Sequence, residues 1–264
     1  MIVSAHSNPN NIEPKLANRV ALVTGGAGGL GSAICHALAD EGASVVVGFN
    51  QSLDAARMLA TALTSALQHQ HHIAVAAPVT DSAALKLLAH KIEQQYERLD
   101  ILVNCAGTTR FVAHGDLEGL DDSLIDEILA TNLRGPFAAT RALRPLLAKN
   151  SAGLIVNISS IAAVSAMGSN VMYCASKAAL DNMTKSLARA LAPDIRVVSV
   201  SPGLVDTEFV KSLDIKWRHD QVARTPMARL ATPAEVAQAV IAVATHFTFS
   251  TGTIFAVDGG RQLA

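Results

Sequence analysis

The sequence predicts a doubly wound, Rossmann-like α/β fold, a parallel sheet of about seven strands with helices on both faces, from three observations. Short β-branched runs alternate with longer helical patterns along the 264 residues. Each short run is almost continuously apolar, as in strands covered on both sides. A glycine-rich turn joins the first run to the first helix, the strand-turn-helix order that opens such a fold.

The elements follow in order. Val20–Thr24 reads as the first strand and Leu30–Glu41 as the first helix, with Thr24-Gly25-Gly26-Ala27-Gly28-Gly29-Leu30-Gly31 across the junction. Ser44–Val47, Ile73–Ala77 and Ile101–Asn104 are the next strands, separated by helices Leu53–Gln68 and Ser82–Tyr96, the latter with Asp81 as its cap. A long helix over Asp122–Ala148 begins at Asp121 and Asp122, acids suited to a helix amino end. Strand Leu154–Ser159, helix Met172–Leu191 and strand Ile195–Ser201 come next. Helix Pro233–Thr245 opens with Thr232, Pro233 and Glu235 as cap, first position and capping-box acid, and Thr253–Val257 is the last strand. Only 204–230 breaks the rhythm, a mixed segment holding Trp217 that reads as a substrate lid. Leu204, Val205, Phe209 and Trp217 give it an apolar lean.

Residues 1–16, polar and carrying Pro9, Pro14 and three asparagines, are expected to be a flexible tail, leaving 17–264 as a single nucleotide-binding and catalytic domain. Half of the residues are apolar and 16% charged, enough to bury one sizeable core. A net charge of −1 provides no basic excess for nucleic acid or an anionic membrane, so small molecules are the expected partners. No apolar run reaches the length of a membrane span, and the tail lacks the pattern of a signal peptide, which points to the cytoplasm. Cys35, Cys105 and Cys174 suit neither a disulfide framework nor a zinc site and read as buried small hydrophobes. His69, His71 and His72 read as a solvated loop rather than a metal site. There is no G-x-S-x-G elbow to support hydrolysis.

Two features carry chemistry. Glycines let the 24–31 turn approach a pyrophosphate held at the helix amino end. Tyr173 and Lys177, four residues apart, share a helix face, where an ammonium can favour the phenolate. Bringing a tyrosine down two or three units from about 10 needs ~3–4 kcal/mol, of which a neighbouring lysine supplies part.

Thr24-Gly25-x-x-x-Gly29-x-Gly31, Asn104-Cys105-Ala106-Gly107, Asn132, Ser160 and Tyr173-x-x-x-Lys177 together resemble the short-chain dehydrogenase/reductase family. The resemblance runs from about Arg19 to Leu263 and is greatest to single-domain reductases typified by 3-oxoacyl-acyl-carrier-protein reductase. It implies hydride transfer between a nicotinamide and a carbonyl or secondary alcohol, with Tyr173 as general acid or base, Ser160 on the same oxygen and Lys177 on the ribose. Strand alternation lets only one of Ser159 and Ser160 face the site, and family spacing favours Ser160. The resemblance further implies that Asn132 anchors a proton-relaying water, that Asn104, Ala106 and Gly107 line the adenosine side, and that Pro202, Gly203, Val205 and Thr207 hold the carboxamide. It implies a homotetramer, with a dimer as the fallback.

Two positions depart from the family. The loop after the second strand reads Phe49-Asn50-Gln51-Ser52, with no carboxylate to repel a 2′-phosphate. Asn50, Gln51 and Ser52 can donate to that phosphate, so NADP is favoured. NAD stays open, because Gly28 stands where many NADP-using relatives carry arginine. Pro78 occupies the place of a common adenine-binding aspartate, leaving that contact to the backbone around Val79. A nicotinamide-binding regulatory protein without turnover is the rival from another class. Epimerase or dehydratase chemistry on nucleotide sugars is a third reading, for which the chain leaves little room. An acyl-carrier-protein substrate calls for a basic patch at the cleft entrance, for which Lys211, Lys216, Arg218 and Arg224 are the candidates.

Overall fold

Seven strands form one parallel sheet in the order β3-β2-β1-β4-β5-β6-β7, in a computed structural model that describes residues 14–65, 67–211 and 214–263. The strands are β1 (Val20–Thr24), β2 (Ser44–Phe49), β3 (Ile73–Ala76), β4 (Ile101–Asn104), β5 (Gly153–Ile158), β6 (Ile195–Pro202) and β7 (Ile254–Val257). Strand order reverses between β1 and β4, so a crevice opens beyond their carboxyl ends, where doubly wound folds bind ligands. The pairs Val23↔Val103, Val103↔Val156 and Val156↔Val198 fix the central register. All four valines are fully buried, as the apolar runs require of strands covered on both faces.

Helices α1 (Gly29–Asp40), α2 (Leu53–Ala62) and α10 (Pro233–Thr245) cover one face, where Ile34, Leu38, Ala56, Val236 and Val240 join the core. The other face is covered by α3 (Ser82–Tyr96), α5 (Gly135–Ala148) and α7 (Val171–Leu191), through residues such as Leu88, Ile92, Leu143 and Leu147. Asp81 caps α3 by accepting from the Ala83 and Ala84 N–H groups, and Asp121 caps α4 (Asp122–Leu129) through Leu124 N–H. The capping box of Thr232 and Glu235 forms as expected. Short α6 (Ala162–Ser165), α8 (Glu208–Lys211) and α9 (Ile215–Ala223) complete the described helices, the last two within 204–230.

Four expectations need correction. The helix expected over Asp122–Ala148 is interrupted by a π turn at Ala130–Arg134, which the unbroken apolar periodicity concealed. The helix expected to reach Gln68 stops at Ala62, where Leu63 turns extended. Beyond it, buried Gln70 pins the connection by donating to the carbonyls of Ala39 (2.6 Å) and Ala43 (3.0 Å). His72 is not a solvated side chain: its Nδ1 accepts from Val45 N–H (3.1 Å) and its Nε2 meets Thr64 O (3.0 Å), tying this connection to β2. Finally, the expected flexible tail over 1–16 overlaps packed chain. Residues 1–13 lie outside the described residues, but Leu16 is buried and its N–H donates to Glu41 O.

Candidate active site

Close backbone contact shapes the turn between β1 and α1. Gly25 has φ +65°, and a Cβ there would lie 2.9 Å from Ala106 Cα. A Cβ on Gly31 would overlap the Gly25 carbonyl oxygen and lie 2.9 Å from Gly26 Cα. The turn is closed by Gly28 N–H on Gly25 O and tied to β2 by Gly26 N–H on Gly48 O. The turn thus presents the amino end of α1 to the crevice, an environment that favours anions. Leu30 packs back on the core. At Gly29 a Cβ would stand 3.6 Å from Thr207 Cβ and Cγ2, so the segment after β6 crosses over the glycine turn.

Thr24, expected beside the nucleotide, straps β1 to β4 with its side chain. Its hydroxyl accepts from the N–H groups of Cys105 and Ala106, both at 3.1 Å, and donates to Val103 O at 3.4 Å. Asn104 is likewise turned inward, 2% exposed, with Nδ2 on Asn157 Oδ1. Gly107 does face the crevice side: a Cβ there would meet Asn132 Oδ1 at 3.4 Å and Lys177 Nζ at 3.9 Å. Val79 is buried with its side chain against Gly135, leaving its backbone as the group available to a ligand. Asn50, Gln51 and Ser52 are all exposed after β2. The Thr207 hydroxyl caps α8 by accepting from Val210 N–H at 3.4 Å, while Val205 is buried and bridges Ala231. Pro202 accepts at its carbonyl from Ile161 N–H, and the Gly203 N–H donates to Val257 O. Phe209's side chain lies outside the described residues.

Ser160, Tyr173, Lys177 and Asn132 converge from three places, the end of β5, α7 and the π turn. Tyr173 and Lys177 stand one turn apart on α7, with Lys177 Nζ 5.7 Å from the phenol ring centroid. Ser160 faces the phenol while Ser159, buried, points toward Asp181, as strand alternation requires. Asn132 sits in the π turn, 1% exposed, its Oδ1 accepting from Thr108 N–H (2.8 Å) and its Nδ2 donating to Thr108 O (3.0 Å). That amide pair locks the loop after β4 onto the helix, and π turns recur at such functional positions.

Sequence reasoning missed Asn170. It is 1% exposed and caps α7 by accepting from Tyr173 N–H at 2.7 Å. Its Nδ2 donates to Arg110 O (2.8 Å) and Thr109 Oγ1 (3.3 Å) in the loop after β4. The signal was an asparagine placed immediately before a helix.

Electrostatics reverse one expectation. Burial pushes the Tyr173 phenol above its ordinary value, and the facing Ser160 hydroxyl only partly opposes it. Burial also pulls Lys177 down, to about 8, and its Nζ donates to Ile158 O at 2.8 Å. Burial therefore drives tyrosine and lysine apart in acidity, the phenol upward and the ammonium downward.

The sequence profile of the family described as short chain dehydrogenase matches residues 19–217, three quarters of the chain and every one of these converging side chains. The chain belongs to the short-chain dehydrogenase family. It is an oxidoreductase of that family. The 3-oxoacyl-acyl-carrier-protein reductase of Thermotoga maritima is 34% identical over 250 residues, covering 93% of this chain and 98% of the relative. The cis-4-hydroxycyclohexanecarboxylate dehydrogenase of Sinomonas cyclohexanicum is 38% identical over 249 residues, covering 92% and 96%. A crystal structure from Burkholderia xenovorans described as a short-chain dehydrogenase/reductase superposes with a TM-score of 0.86 at 33% identity, covering 93% of this chain and 98% of that one. Among the described residues no helix is long and apolar enough to cross a membrane, and no cluster of three or more His, Cys, Asp or Glu side chains could hold a metal.

In this short-chain dehydrogenase two of the four candidate cations of segment 204–230 are paired with acids. Arg218 Nη2 donates to Asp206 Oδ1 at 3.0 Å and Lys211 Nζ to Glu208 Oε1 at 2.7 Å. Lys216 and Arg224 are left as the exposed cations of the proposed basic patch.

Proposed function

We propose that this short-chain dehydrogenase reduces a small carbonyl compound with NADPH, and in reverse oxidises the secondary alcohol, with Tyr173 as general acid and base. The convergence of Ser160, Tyr173, Lys177 and Asn132 beside a glycine turn with no room for a Cβ at Gly25 or Gly31 carries the reading. That turn fits a dinucleotide, since only backbone this close can approach a pyrophosphate. Gly25, Gly29 and Gly31 would hold the phosphates, Val79 and Ala106 with Gly107 the adenosine side, Lys177 the ribose, and Pro202 to Thr207 the carboxamide. When bound, the nicotinamide supplies or accepts the hydride.

Ser160 and Tyr173 donate hydrogen bonds to the carbonyl oxygen, preorganised where negative charge develops. Tyr173 then yields its proton to that oxygen. Lys177, still largely an ammonium near neutral pH, stabilises the phenolate so formed. Asn132 fixes the loop wall behind Lys177 and restricts how water reaches it.

For the 2′-phosphate, the exposed amides and hydroxyl of Asn50, Gln51 and Ser52 present donors without a carboxylate, which favours NADP over NAD. With Arg218 and Lys211 already paired to acids, a free thioester or small ketone suits this entrance better than a carrier-protein conjugate. A second reading, an NAD-dependent cyclic-alcohol, sugar or steroid dehydrogenase, takes its support from the relative named for a hydroxycyclohexane substrate. An apolar groove on α4, the π turn, α5 and α7, about 640 Å³ and lined by Leu129, Leu133, Phe137 and Met183, is consistent with a homotetramer, the dimer being the smaller alternative. We place the enzyme in the cytoplasm.

The test is the initial rate of NADPH and NADH oxidation with an acetoacetyl thioester and a panel of ketones. Turnover with NADPH preferred is expected. NADH preference refutes the assignment of Asn50 to Ser52, and nucleotide binding without turnover on any substrate favours a regulatory protein. Asn170→Asp separates capping from the loop tether: the carboxylate still accepts from Tyr173 N–H but cannot donate to Thr109 and Arg110. We expect KM for the carbonyl substrate to rise about tenfold, about 1.4 kcal/mol, with nucleotide affinity unchanged in titration.

A further inference from the structure

Lys177 is 6% exposed, and its only hydrogen-bond acceptor among the described residues is the neutral carbonyl of Ile158. A buried ammonium is costly unless a negative charge lies near it. No salt bridge to Lys177 forms among the described residues. Two groups act on it to favour its charge, the Cys105 thiol and the Asp181 carboxyl. Cys105 is itself held neutral by burial, with a pKa raised to about 12, so it brings no charge at physiological pH. Asp181 remains.

Asp181 lies on α7 one turn beyond Lys177, the same four-residue step that separates Tyr173 from Lys177, so the three side chains share one face of the helix. It is 7% exposed, and its Oδ1 is buried without a hydrogen-bond partner. The Ser159 hydroxyl just beyond β5 and the Ser199 hydroxyl of β6 lie toward it. The charged groups bearing on it are Lys177 and Lys185 of its own helix. Burial makes its carboxyl harder to ionise, an arrangement with no packing benefit that an apolar residue would not exceed.

We propose that Asp181 is a positioning residue whose buried carboxylate keeps Lys177 an ammonium, from one helical turn behind it. This rests on the assignment of Lys177 to the site, but it concerns the free protein and is tested there. Removing the carboxylate leaves the ammonium without a counter-charge, so Lys177 loses its proton at lower pH. Charge separation across one helical turn, about 5–6 Å between Cβ atoms, is within the range where an opposite charge shifts a titration by about one unit or more.

Competitive acylation of the free protein with a small anhydride, from about pH 6 to about pH 10, reports the titration of Lys177 through the mass of its peptide. Wild type, Asp181→Asn and Asp181→Glu are compared, with Asp181→Ala in parallel so that a folded neutral variant is at hand. We expect the Lys177 midpoint to fall by about one unit in the neutral variants and to stay with wild type in the glutamate variant. Equal midpoints in wild type and the neutral variants overturn the proposal, as does a fall of the same size in the glutamate variant, which would mark a packing effect. Turnover enters separately: the alkaline limb of kcat/KM should move to lower pH with the midpoint. Absence of turnover in every protein would count against the proposed function and leave the labelling result standing.

Discussion

Tyr173→Phe should reduce kcat by at least about a thousandfold while the affinity for NADPH stays within about twofold of wild type. The substitution removes one oxygen and keeps the ring, so packing around α7 is preserved. What is lost is a hydrogen bond to the developing oxyanion together with the proton that quenches it. General acid catalysis contributes roughly 10²–10⁴-fold and a preorganised donor roughly 10²–10³-fold. The two losses share one atom and so do not multiply in full. Stopped-flow hydride transfer and fluorescence titration of the nucleotide separate the two quantities. Turnover above a tenth of wild type would remove Tyr173 from the chemistry.

Gly31→Ala should abolish tight nucleotide binding, raising Kd for NADPH at least about tenfold, or about 1.4 kcal/mol. Here two effects oppose each other. Alanine in α1 improves helix propensity by about 1 kcal/mol relative to glycine. Its Cβ, however, would overlap the Gly25 carbonyl oxygen, a backbone atom that no rotamer change can move aside. Overpacking of this kind costs typically 1–3 kcal/mol and displaces the turn that must receive the pyrophosphate. The displacement wins for binding, and thermal stability changes much less than affinity. Wild-type affinity in calorimetric titration would show that the turn is not the phosphate site.

The parts of the fold legible in the sequence are those decided by local pattern. β-Branched runs buried on both faces, the Asp81 cap and the Thr232–Glu235 box depend on residues within a few positions of one another, and each forms as read. Tyr173, Lys177 and Ser160 were legible through spacing, and the structure brings them together. What escaped depends on contacts distant in sequence. Nothing near Thr24 in sequence shows that its hydroxyl holds Cys105 and Ala106, both more than eighty residues away. His72 reads as a loop residue until Val45 N–H is found on its ring. Desolvation of Lys177 is a property of everything packed around it, which no spacing reveals.

The π turn at Ala130–Arg134 has a consequence for how this enzyme balances folding against activity. A π turn accommodates one residue more than the α-helical ladder needs, and each residue advances the helix by about 100°. Everything from Gly135 onward is therefore rotated relative to α4, and it is from within the π turn itself that Asn132 reaches Thr108 in the loop beyond β4. A chain shortened by one residue there would make the more regular helix and lose the hold of Asn132 on Thr108. Local helical regularity has been surrendered at one point so that a polar side chain can reach inward, and selection for stability alone would tend to erase that irregularity.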